Sequence, residues 1–180
     1  MTSSAETDLS ALERRVSEVT AEIGECVAGL LAPGTLPRFV VAERLVPLGS
    51  ALVPHLLAIL KDPLAGEDLR GCAAFLGFTV GDREQCAMAL FDQIEADGPW
   101  ALGAARKLAD TGYPGTAFAI EAALRRIDAE SFDTAVGYLH ALSTASGVLP
   151  EDLRTQLSAS KHWQLTTAVN ELFPLGEPSR

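Results

Sequence analysis

Any hydrolytic or metal-dependent chemistry would start from the three histidines, His55, His140 and His162, and each of them stands alone in the sequence. None belongs to an HExxH pair or a His/Cys cluster, and none has a carboxylate beside it at metal-ligand helical spacing. They read as packing or surface residues. No GxSxG elbow, Walker loop or GxGxxG turn is present. Glu67 and Asp68 fall where a helix begins, and favourable placement at its positive end accounts for both without acid–base work. Contact chemistry is what remains. Phe75, Phe78 and Tyr138 offer apolar area, and Arg44, Arg106 and Lys107 offer charge that can orient a carboxylate, a phosphate or an acidic helix.

These six residues matter together only if something lines them up. Five times a small apolar residue is followed three positions later by leucine: Ala42/Leu45, Ala73/Leu76, Ala105/Leu108, Val136/Leu139 and Val169/Leu172. The pairs recur at intervals of 31, 32, 31 and 33 residues, the period of stacked two-helix units that bury their apolar faces on one another. Gly, Pro and capping residues punctuate the apolar segments, and Asp82 with Gln85 has the spacing of a capping box. The punctuation predicts helices at 8–31, 36–48, 50–61, 66–79, 82–96, 99–111, 114–127, 131–145, 150–158 and 161–173. No segment alternates strictly with β-branched and aromatic residues, so no strand is expected. The second helix of each pair carries the small-x-x-Leu pattern, and these helices should lie side by side as one wall. On that wall one column of positions reads Arg44, Phe75, Lys107, Tyr138 and Glu171, and another reads Pro47, Phe78, Asp110, Ala141 and Pro174.

The first helix differs from the rest. Leu9, Leu12, Val16, Val19, Ile23, Cys26 and Leu30 form a 3-4 seam flanked by charge, which fits an amino-terminal cap on the repeats or a dimerising face.

One unit resembles a known family. Leu52 to Pro63, ending in Asp62-Pro63, followed by Asp68-Leu69-Arg70-Gly71-Cys72-Ala73-Ala74-Phe75-Leu76-Gly77, is similar to a HEAT repeat. The resemblance implies an all-α, right-handed α-α superhelix of about five antiparallel helix pairs behind a long amino-terminal cap helix. It also implies a structural ladder in which Asp62 and Arg70 take part, and a concave face lined by second helices. The other units keep the spacing without the Asp-Pro and Arg signature. The organisation expected is a single HEAT-like domain over 1–180, with its cap at 8–31, repeats over about 36–173 and a tail at 174–180.

Charge narrows the function. The chain carries 14 basic and 24 acidic residues, a formal −10, which repels polyanions and favours basic partners. Three cysteines without a CxxC pair fit a reducing compartment, and Met1–Asp8 lacks a basic-then-apolar leader, so the cytoplasm is expected. The apolar stretch Ala51–Leu60 is too short to cross a bilayer. The expected function is therefore a non-enzymatic, cofactor-free protein-interaction module or scaffold, binding a basic protein through Arg44, Phe75, Phe78, Arg106, Lys107 and Tyr138. An acidic inhibitor or immunity-type protein is one form of it. Two other readings use the same concave wall: a HEAT-like DNA glycosylase, which the acidic charge disfavours, and a protein that encloses a small apolar ligand or chromophore.

Overall fold

The computed structural model describes residues 45–127 and 131–174, together with scattered positions between 14 and 42. All regular structure among the described residues is helical. A 3-10 segment, Val46–Leu52, is broken at Gly49, whose φ of 60° and ψ of −144° lie outside the helical region. Eight α-helices follow: α1 (Val53–Lys61), α2 (Glu67–Val80), α3 (Arg83–Glu95), α4 (Ala101–Asp110), α5 (Thr116–Arg126), α6 (Phe132–Ala145), α7 (Glu151–Ser158) and α8 (Trp163–Leu172). These are the helices predicted from residue 50 onward, each starting one to three residues later than expected, with ends within one residue of the expected ones. Val46–Leu48, placed within a helix at 36–48, is 3-10 instead. None of the described helices is long and apolar enough to cross a membrane.

Local chemistry sets the ends. Pro63 excludes Asp62 from the helical region, so α1 stops there, and the Asp62 carboxylate closes the turn by accepting the Leu64 N–H at 2.9 Å. The acidic side chains Glu67 and Asp68 occupy the first turn of α2, as the sequence requires. Three successive helices end alike: the N–H groups of Asp82, Gly98 and Tyr113 return to the carbonyls of Gly77, Gln93 and Leu108 at 2.9–3.0 Å. Each return needs a positive φ just before it, supplied by Gly81, by Asp97 at 51° and by Gly112. Between α3 and α4, the buried Gln93 side chain accepts the Trp100 N–H at 3.3 Å, satisfying an amide that the start of α4 leaves without a helical partner.

By its contacts the chain divides into two compact units, Met1–Glu84 and Gln85–Arg180. In the first, α1 packs on α2 and both meet the 3-10 segment, with Leu52, Leu56, Cys72, Ala73 and Leu76 buried. In the second, α6 is central. It packs against α4, α5 and α8, while α7 packs on α8. Leu108, Leu124, Leu139, Leu142, Leu153 and Val169 are buried there, each contributing about 1.5–3 kcal/mol of apolar burial. Of the ten small-x-x-Leu positions, eight are buried, and only Val136 and Leu172 are half-exposed. Glycine lets α4 and α6 approach closely: a Cβ on Gly137 would lie 2.7 Å from a methyl of Leu102.

The amino-terminal seam lies largely outside the described residues. Of the seam itself Ile23 is described and half-buried; around it Arg14, Arg15, Ser17, Glu18 and Ala21 are exposed helical positions and Val27 is buried. Gly24 sits so close to the His55 ring that a Cβ there would fall 2.9 Å from it.

Candidate interaction surface

The second helices, taken one by one, do not present the aromatic side chains expected of them. Phe78 is 1% exposed and Tyr138 is fully buried, so both belong to the core and neither can meet a partner. The buried face of these helices is broad: α2 buries seven residues between Gly71 and Phe78, and α6 buries six between Ala135 and Leu142, so Phe78 and Tyr138 fall within it while His140 stays exposed. Phe75 and Lys107 are half-buried, Arg106 is exposed, and Arg44 lies outside the described residues. The Arg83 guanidinium covers the Phe78 ring at 5.9 Å from its centroid. Among the described residues Arg70 makes no ion pair with Asp62, whose carboxylate is used in its own turn.

Tyr138 carries a second consequence of burial. Its hydroxyl has no hydrogen-bond partner among the described residues. Desolvation pushes the phenol up to about 12, with the Asp97 carboxylate adding to the shift and Arg126 opposing it. Replacing Tyr138 with Phe removes an orphaned polar atom and should raise stability at neutral pH by about 1 kcal/mol. The pH dependence follows in sign. An unfolded tyrosine ionises near pH 10 while the folded one keeps its proton, so stability is intact below pH 10 and falls as pH rises toward 12. Urea melts between pH 7 and 11 should show that fall diminished in Tyr138→Phe.

The histidines are placed as single residues. His162 stacks on Phe132 at 5.0 Å between ring centroids, His140 is exposed, and the buried Nε2 of His55 has no partner among the described residues. The described residues hold no group of three His, Cys, Asp or Glu able to take a metal.

Exposed apolar area is found at Trp163, 71% exposed at the start of α8, and on two first helices. Phe118 on α5 is 76% exposed and Met88 on α3 is 64% exposed. Between these two helices lies a groove of 390 Å³. Phe91, Ile94 and Phe118 supply its large apolar surfaces, Ala119 and Ala122 its small ones, and Pro114 and Gly115 close one end. Phe91 is steadied by a tilted contact with Tyr113 at 6.0 Å. At the other end stand Glu95 and Arg126, and Arg126 Nη2 donates to the Ile94 carbonyl at 3.1 Å, tying α5 to the end of α3. Arg125 is also engaged: it reaches Asp152 at 3.0 Å and Glu121 at 3.6 Å, which holds the Asp152 carboxyl below its usual range. Asp92, Glu95 and Asp97 are exposed along and just beyond α3.

Sequence reasoning could have found Phe118 by helical arithmetic. At 100° per residue, the buried stripe of α5 runs through Thr116, Ile120, Ala123 and Leu124, and Phe118 falls about 170° from its centre. A large apolar residue on that side has only solvent or a partner to meet. Comparisons with protein-family models, with curated proteins and with solved structures return no match.

Proposed function

We propose that the chain is a non-enzymatic protein-interaction module and that its binding surface is the α3/α5 groove. The observation that carries this reading is Phe118, a large aromatic side chain standing 76% exposed at the mouth of an apolar groove. Keeping such a ring in water has no folding benefit, whereas aromatic anchors dominate the energetics of contact. The HEAT-like character belongs to the same proposal: in the second unit the small-x-x-Leu helices α4, α6 and α8 lie next to one another, as a superhelical stack of helix pairs requires. A reducing cytoplasm suits Cys72 and Cys86, which are fully buried as small apolar residues.

A small apolar ligand is the second reading, since 390 Å³ falls within the range of ligand pockets. Binding to nucleic acid is disfavoured, because the net charge is −10 and Arg125 and Arg126 are occupied within the unit. Affinity capture from native extract with the wild type and with Phe118→Ser tests the leading reading. An exposed substitution should change stability by no more than about 0.5 kcal/mol. The expected result is a protein partner whose recovery falls at least about tenfold in the variant. Equal recovery by both proteins, or a small molecule bound to the wild type in native mass spectrometry with no protein partner, would refute it.

A further inference from the structure

We infer that the occupant of the α3/α5 groove is a basic amphipathic helix, with apolar side chains on the floor and lysine or arginine along the α3 edge. This rests on the reading of the groove as a protein-binding surface and adds the chemistry of what it binds. Three observations converge on it.

The first is shape. The groove runs between two helices, and its α5 side, from Phe118 through Ala119 and Ala122 to Arg126, spans nine residues, or about 12 Å of rise. Two turns of a third helix match that length and present anchors at i and i+3 or i+4. Ala119 and Ala122 leave room between the Phe118 and Phe91 rings for a leucine-sized side chain.

The second is charge. Glu95 lines the groove, Asp92 lies one turn earlier on α3, and Asp97 follows the helix end; all three are exposed. Of the cations nearby, Arg125 is paired with the Glu121 and Asp152 carboxylates, and Arg126, tethered to the Ile94 carbonyl, is the single cation in the lining, keeping its charge at the groove's end. An incoming helix thus meets a carboxylate edge on α3, in a chain whose net charge of −10 steers cations toward it.

The third is continuity. Met88 precedes Phe91 by one helical turn and is 64% exposed, so the apolar floor continues along α3 beyond the groove itself. Methionine adapts its shape to varied apolar side chains, as helix-binding grooves require.

The test uses two synthetic 14-residue peptides, one built only from leucine and lysine and the other only from leucine and glutamate, with identical leucine positions at helical spacing. Binding to the full chain is followed by fluorescence anisotropy, and the site is mapped by amide chemical shifts. The leucine–lysine peptide should bind at least about tenfold tighter than its glutamate counterpart and weaken with added salt. Phe118→Ser should reduce that affinity about tenfold, and Asp92→Lys with Glu95→Lys should reverse the preference between peptides. Equal affinity of the two peptides, shifts away from α3 and α5, or an unreversed preference in the charge-swapped variant would overturn the inference. The functional reading is judged separately by capture of the native partner. Loss of capture in Phe118→Ser alongside a failed peptide preference removes the basic helix alone, whereas unchanged capture removes both.

Discussion

Leu139→Ala should lower the unfolding free energy of the second unit by about 3 kcal/mol, while Leu172→Ala should cost less than about 1.5 kcal/mol. The two leucines hold the same place in the sequence pattern, three residues after Val136 and Val169, and differ in what surrounds them. Leu139 is fully buried on α6, and α6 has α4, α5 and α8 against it. Truncation there leaves a cavity enclosed on several sides that cannot collapse without moving whole helices. Leu172 is half-exposed in the last turn of α8, where solvent replaces the lost methyls. Trp100, buried before α4, lies in the second unit, so its fluorescence reports that unit's unfolding in urea. The expected outcome is a large drop in midpoint for Leu139→Ala at unchanged slope and a small one for Leu172→Ala. Equal costs would mean that burial at these positions does not follow the neighbours of each helix.

The contrast between those leucines shows what was legible in the sequence. Helix number and order from residue 50 onward follow from backbone chemistry that acts locally. Pro63, Gly81 and Gly112 each enforce a boundary through their own φ preference, whatever packs nearby. The periodic leucines were legible for a related reason, since a helix that must bury one stripe repeats it every turn. Faces were harder to read. Assigning Phe78 and Tyr138 to an open wall assumed that each second helix buries one side only. Around α6, however, Gly137, Tyr138, Leu139, Ala141 and Leu142 are all buried, covering just over half its circumference. How many helices surround a given one is a tertiary fact, and a single period cannot encode it. The groove on α3 and α5 escaped notice because attention went to the repeated signature, and Phe118 lies on a helix that does not carry it.

The close approach of α4 and α6 gives the second large effect. Gly137→Leu should destabilise the second unit by about 3 kcal/mol, whereas Gly137→Ala should be nearly neutral. The two substitutions share an opposing pair of terms. Any side chain improves on glycine in a helix interior, and for alanine the gain is about 1 kcal/mol. Against this, a Cβ at 137 would stand 2.7 and 2.8 Å from the two methyls of Leu102 and 3.3 Å from its Cγ. Leu102 is half-exposed and can swing its methyls aside for one carbon, so the terms cancel for alanine. Three further carbons have no such exit, because Tyr138 and Leu139 next to them are fully buried and α6 cannot rotate to expose the new side chain. The separation of α4 from α6 must then grow, loosening every contact between them. A double-mutant cycle isolates the cause. In a Leu102→Ala background Gly137→Ala should become stabilising by about 0.5–1 kcal/mol, and the cost of Gly137→Leu should fall by at least about 1 kcal/mol. Additive costs in both cycles would show that Gly137 is required for something other than room beside Leu102.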